Sequence, residues 1–183
     1  MILAFTGAGI SKASGISTFM EQPEVRDRLH RSFATQHPEA YRETIAELYY
    51  IIQKAEPNDA HRALSEYNIP IITMNIDGLH EKAGSSPIAL HGSMPNENEL
   101  AYADQLFNKP VLYGDPAPSY RRAYEKVDSL KEGDILLVIG ASRFTAVATD
   151  LREIAYANGV EIIEIQENAV EQVRETLESI IND

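Results

Sequence analysis

The chain opens on an apolar run, Ile2-Leu3-Ala4-Phe5, that leads straight into Thr6-Gly7-Ala8-Gly9-Ile10-Ser11. No other feature constrains the fold as much. A short apolar run closed by turn residues reads as a buried strand. Glycines at its end admit backbone angles and close approaches that other residues do not. A helix entered from such a loop presents unpaired N–H groups to an anion. The junction therefore reads as a strand ending in a candidate phosphate cradle, with a plain tight turn as the alternative.

Apolar periodicity places further strands near residues 69–73, 87–90, 110–112, 134–139 and 160–165, after the first at 2–6. Helical patterns lie between them. One runs over 38–55 from Pro38, and a second runs from Pro57-Asn58-Asp59 to about Tyr67. A third covers Val147 to Asn158 before Gly159, and a last spans Ala169 to Ile181 with Val170, Val173, Leu177 and Ile180 at helical spacing. Such alternation predicts an α/β fold of Rossmann-like type: a doubly wound parallel sheet with helices on both faces and ligands beyond the carboxyl ends of the strands. The glycine loop sits at such an end. Residues 92–109, rich in Asn, Glu, Pro and Ala, read as a mobile connection.

A chain of 183 residues fits one domain of ordinary size. Its formal charge of −12 disfavours nucleic acid, because phosphate binding needs a basic surface. A basic peptide suits that surface better, although acidity that only maintains solubility is the alternative. The absence of cysteine rules out disulfides, a thiolate zinc site and a cysteine nucleophile. No histidine pair shows metal-ligand spacing with a third ligand nearby, so no metal is expected. No stretch approaches the roughly 20 apolar residues of a membrane span, and the chain enters a strand without a leader pattern. A cytoplasmic protein with no membrane partner is the expectation.

The opening block Thr6–Ser11, followed by Ser14-Gly15-Ile16, resembles the first motif of the sirtuins. The resemblance continues in the family's order. It takes in Pro57-Asn58 with Ala60-His61 and Leu64, then Thr73-Met74-Asn75-Ile76-Asp77-Gly78-Leu79-His80, then Leu90-His91-Gly92-Ser93, and last Gly133 to Ser142. It implies an NAD-dependent protein-lysine deacylase that consumes NAD as co-substrate, acts on an acyl-lysine peptide and releases nicotinamide and O-acyl-ADP-ribose. It also implies a single sirtuin-like domain over 1–183, with a helical insertion at about 20–68. Since the cysteine zinc module is missing, the small helical domain is reduced and zinc-free, with a truncated connection at about 92–110.

The resemblance assigns roles to residues. Asn75 and Asp77 would line the nicotinamide pocket, and an Asp with an Asn after a buried strand does offer a carboxamide polar contacts. Capping of the helix that follows is the alternative for both. His91 would be the general base, since a near-neutral imidazole can accept a ribose hydroxyl proton. His61 reads as a packed or capping residue, and His30 and His37 as solvent-facing. The remaining NAD contacts would be Gly7, Ala8, Gly9, Ser14 and Ile76, with Gly140, Ser142 and Gln166 on the adenosine side. For Ser142 a helix cap is the competing reading.

Three comparisons with the family bear on activity. Ser17-Thr18-Phe19-Met20 stands where the family has Pro-Asp-Phe-Arg, and Met74 replaces a Gln, so two thioethers take the place of polar groups. The segment Val111-Leu112-Tyr113-Gly114-Asp115 resembles the family's substrate-pairing strand, with a buried edge strand as the alternative. Tyr50-Ile51-Ile52-Gln53 lacks the Arg of relatives that remove acidic acyl groups, which favours neutral acyl groups. An NAD glycohydrolase or ADP-ribosyltransferase is the alternative activity, and a non-catalytic NAD or ADP-ribose sensor the third reading.

Overall fold

Side chains alternate across a strand. Along the first strand both sides of that alternation are apolar and fully buried, with Leu3 and Phe5 facing one core and Ala4 the other. A strand dry on both faces belongs inside a covered parallel sheet. The computed structural model describes residues 1–16 and 22–183 and has this arrangement. Its strands are β1 (Ile2–Thr6), β2 (Ile71–Thr73), β3 (Ile88–Ala89), β4 (Ile135–Ile139) and β5 (Glu161–Ile165). All pairings are parallel, in the order β3-β2-β1-β4-β5. The reversal of direction falls between β1 and β4, where a doubly wound sheet opens its ligand crevice.

The helices are α1 (Pro23–Arg28), α2 (Arg31–Gln36), α3 (Pro38–Lys54), α4 (Asp59–Glu66), α5 (Leu79–Lys82), α6 (Tyr120–Asp128), α7 (Ala146–Ala157) and α8 (Ala169–Asn182). Leu3, Phe5, Leu136 and Val138 pack toward α6 and α7, meeting Val127 and Leu151. Ala4, Leu137 and Ile139 pack toward α4 and α8, meeting Leu64, Val173 and Leu177. The expected coverage of both faces is present. Among the described residues no helix is long and apolar enough to cross a membrane.

A separate cluster forms away from the sheet. Pro38 opens α3, whose Tyr41, Ile45, Leu48 and Ile52 fall at helical spacing and are buried. Tyr41, Ile45 and Leu48 meet Leu29, Ala34, Ala103 and Leu112.

Two sequence expectations change here. Residues 92–109 contain a kinked 3-10 helix, Glu97–Gln105, begun by a reciprocal Asn96–Glu99 cap and anchored by fully buried Ala103. The composition of the stretch concealed that contact. Residues 110–112 form no ladder: the segment runs beside the α1–α2 junction with one bridge, His30 to Tyr113. Pro110 has no N–H to donate, and the partner backbone turns into α2 at once.

Arg31 ties the cluster together. Its Nε and Nη2 donate to the Asp115 carboxylate at 2.7 Å each, while Nη1 reaches the Asp104 carbonyl at 2.9 Å and Nη2 the Leu106 carbonyl at 2.7 Å. The guanidinium lies over the Phe107 ring, 4.2 Å from its centroid. The Asp115 side chain is only 1% exposed, so the pair is a buried fork-to-fork contact.

Candidate active site

The glycine loop meets the end of β4 at contact distance. A Cβ on Gly7 would lie 2.6 Å from the Gly140 carbonyl oxygen, and a Cβ on Gly140 would lie 2.5 Å from the Gly9 Cα. Gly140 also has φ +57, a left-handed conformation that favours glycine. The Gly9 N–H donates to the Gly140 carbonyl at 3.0 Å, and the Gly7 N–H donates to the Ile139 carbonyl at 3.0 Å. These glycines therefore form a seam between two loops. Beyond it the chain enters a 3-10 helix, Ala8–Ser14, instead of an α-helix.

A cavity of about 600 Å³ lies beside this seam, with mostly apolar walls. Ala8, Asn75, Ile76, Asp77 and His91 all line it, together with Met74. Ser14, Gly140, Ser142 and Gln166 do not line it. The Ser14 hydroxyl accepts from Asn58 Nδ2 at 3.1 Å. Ser142 is exposed and its Oγ accepts the Phe144 N–H at 3.1 Å, so it closes a turn, while Thr145 caps α7. Gln166, also exposed, donates to the Ala141 carbonyl at 3.1 Å, which brings it to the end of β4. Arg152 holds the same carbonyl at 2.9 Å. The Met20 departure lies outside the described residues.

Asn75 and Asp77 are fixed from behind. Asn75 Nδ2 donates to the Gly7 carbonyl at 3.0 Å, and Asp77 Oδ1 accepts the Leu79 N–H at 3.0 Å. Asp77 thus has the capping contact and the cavity position together. Its Oδ2 accepts the Ser11 hydroxyl at 2.6 Å. His61 Nδ1 accepts the Asn58 N–H at 3.2 Å, so its proton is on Nε2, which donates to Ser11 Oγ at 3.3 Å. The direction of the whole chain is set: His61 to Ser11 to Asp77. Burial pushes the Asp77 carboxyl up, against the two donors that stabilise its charge.

Next to this chain His80 Nε2 meets Thr6 Oγ1 at 2.8 Å, and the Thr6 hydroxyl in turn donates to Thr73 Oγ1 at 2.8 Å. His80 therefore carries its proton on Nε2, and among the described residues its buried Nδ1 has no partner. Burial lowers His61 to about 4 and His80 to about 3, so both rings are neutral at pH 7. His61 is fully buried and closes the α4 capping box, in keeping with its reading as a packed residue. His30 and His37 are exposed.

On the cavity wall, His91 Nδ1 lies 3.0 Å from the Met74 carbonyl, which only accepts, so Nδ1 carries the proton. Nε2 is left with its lone pair and meets the Tyr120 hydroxyl at 3.1 Å. Burial lowers the His91 pKa, partly offset by the Met74 hydrogen bond. An imidazole on a cavity wall, with one nitrogen anchored to backbone and the other an acceptor whose partner is a hydroxyl, can serve as a general base.

A sequence model of the Sir2 family matches residues 7–100, slightly more than half of the chain. The NAD-dependent protein deacylase of Aquifex aeolicus is 31% identical over 90% of this chain and 82% of its own length. This chain belongs to the Sir2 family. The NAD-dependent protein deacylase of Mycobacterium leprae is 28% identical over 96% of this chain and 92% of its own length. A crystal structure of a Sir2 homolog–NAD complex superposes with a TM-score of 0.82 at 25% identity, covering 99% of this chain and 89% of that one.

Three residues lining this cavity were not singled out in the sequence. Ser11 stands inside the quoted glycine block, yet only the fold reveals that it bridges His61 and Asp77. Thr145 donates from its hydroxyl to Met74 Sδ at 3.6 Å, giving the thioether a polar partner. Tyr120 reaches His91 across 29 residues, a separation that leaves no local pattern.

Proposed function

We propose that the protein is an NAD-dependent protein-lysine deacylase in which His91 is the general base. The observation that carries this is the state of His91: Nδ1–H committed to a backbone carbonyl and Nε2 left as the acceptor, on a ring that lines the same cavity as Asn75 and Asp77. The names of the relatives, deacylases that use NAD, support the same reaction.

NAD supplies the ribose that receives the acyl group and the nicotinamide that leaves. The residues of the chain have three tasks. Asn75 and Asp77, held by Gly7, Ser11 and Leu79, orient the carboxamide end. The apolar walls exclude water while positive charge develops on the ribose. The acyl oxygen of the lysine amide would displace nicotinamide from the ribose. His91 Nε2 would take the proton of the ribose hydroxyl that then captures the acyl carbon, and one water would complete the release of free lysine and an O-acyl-ADP-ribose. Gly7, Ala8, Gly9, Ser14 and Ile76 are assigned to the rest of NAD, with Gly140, Ser142 and Gln166 on the adenosine side. Met74 in place of a Gln leaves this wall poorer in polar contacts, and neutral acyl groups are the preferred substrates.

No zinc enters this scheme. The chain has no cysteine, and among the described residues no group of three or more His, Asp or Glu is placed to hold a metal. We read the chain as a single unit with a helical insertion at about 20–68 and a shortened connection at about 92–110. A cytoplasmic location and a peptide partner, without nucleic acid or membrane, complete the proposal.

The test is incubation with NAD, with and without an acetyl-lysine peptide, following nicotinamide, ADP-ribose and O-acetyl-ADP-ribose by mass spectrometry. Peptide-dependent O-acetyl-ADP-ribose is expected, and His91→Ala should lower it by about a hundred- to ten-thousandfold. Free ADP-ribose without peptide would make the protein a glycohydrolase instead. NAD binding without turnover would make it a sensor.

A further inference from the structure

Tyr120 is the first residue of α6, and its phenol occupies the one nitrogen of His91 that has no proton. Because Nδ1–H is committed to the Met74 carbonyl, the hydrogen between Nε2 and the Tyr120 oxygen must come from the phenol. Burial raises the Tyr120 pKa above its ordinary value, which keeps that proton in place at neutral pH. Tyr124, one helical turn further on, is tied to Asp150 at 2.5 Å and does not compete.

We infer that Tyr120 is a positioning residue, whose phenol holds His91 in the Nδ1–H tautomer with Nε2 aimed into the cavity and yields that nitrogen to an arriving substrate hydroxyl. The inference rests on the reading of His91 as the base. No bond is made or broken by Tyr120 itself, since one hydroxyl donor replaces another at Nε2.

Among the described residues, the titratable groups sharing the cavity are Asp77 from the loop after β2, Tyr113 and Asp115 from the segment before α6, and Tyr120 and Tyr124 of α6. Asp77 is engaged by Ser11 and Leu79, and Asp115 by Arg31. Among the described residues, the His91 ring hydrogen-bonds only to Met74 and Tyr120. A donor on Nε2 favours the neutral ring, so its removal makes His91 easier to protonate.

Tyr120→Phe removes the hydroxyl and keeps the ring. The pH dependence of kcat/KM reports the free enzyme, and that of kcat reports the bound complex. The acidic limb of kcat/KM should therefore move up by about half a pH unit while the limb of kcat stays, because the phenol has already been displaced there. An NMR titration of the His91 ring in the protein alone should move by the same amount, whether or not turnover is measured. Coincident kcat/KM profiles together with an unchanged His91 titration would overturn the inference. His91→Ala in the same assay separates the two ideas. If acyl transfer survives it, the base assignment fails, and the ring titration still decides the pairing with Tyr120.

Discussion

The glycine seam at the ends of β1 and β4 and the arginine cluster around Asp115 both draw distant backbone segments together, but by opposite means. At the seam, side chains are deleted: Gly7, Gly9 and Gly140 touch main chain to main chain, and hydrogen bonds between backbone groups close the gap. In the cluster, one long side chain fills the gap, and Arg31 collects a carboxylate, two carbonyls and an aromatic ring. The seam sits on a sheet buried on both faces. The cluster has only a modest apolar core of its own, so directional charge-assisted bonds carry more of its cohesion. A seam without side chains tolerates no added atom, whereas a fork of donors tolerates no lost one.

The largest effect should come from the seam. Gly140→Ala places a methyl 2.5 Å from the Gly9 Cα and forces a non-glycine residue into left-handed φ. Overpacking and backbone strain together should cost about 4 kcal/mol in denaturant unfolding. If the cost is below about 1 kcal/mol, the seam is not rigid and the contrast fails.

Arg31→Met comes next. It leaves the Asp115 carboxylate buried without its partner, at a cost of about 3 kcal/mol. Hydrogen exchange should show that loss in the amides of α2 and residues 97–115, with the sheet still protected. Loosening that reaches the sheet equally would mean that the two regions unfold as one.

The smallest effect sharpens the picture of the sheet side. His61 and His80 are neutral in the fold, with pKa values of about 4 and about 3, both below the unfolded value. The unfolded chain therefore binds more protons between pH 6.5 and 4, and stability must fall as pH falls through that window. One such histidine contributes a loss of about 2 kcal/mol between pH 7 and pH 5. Thermal melts across this range should show the decline, and His80→Gln should flatten it. A flat profile in the parent protein would mean that these rings can be protonated without unfolding.

How much of this was legible in the chain follows from the range of each signal. The five parallel strands and the helices α3, α4, α7 and α8 are written locally, in apolar periodicity with Pro, Asn and Gly at their ends. The strand expected at 110–112 failed because a period-two pattern cannot say whether a neighbouring backbone is long enough to pair. The 3-10 helix at Glu97–Gln105 was hidden because what holds it, the burial of Ala103 and the bonds from Arg31 and Arg42 to Asp104, depends on distant parts of the chain.

The sequence alone determined that the chain is α/β, that a glycine loop ends its first strand, and that no cysteine chemistry is open to it. These are matters of residue type and short-range spacing. Only the tertiary structure decided what each group does. Gly7 and Gly9 pack against Gly140, His61 works through Ser11 on Asp77, Arg31 seizes Asp115, and the open nitrogen of His91 meets Tyr120. Each of these joins residues tens of positions apart, where contact depends on how the layers stack, and nothing in the local pattern reports that.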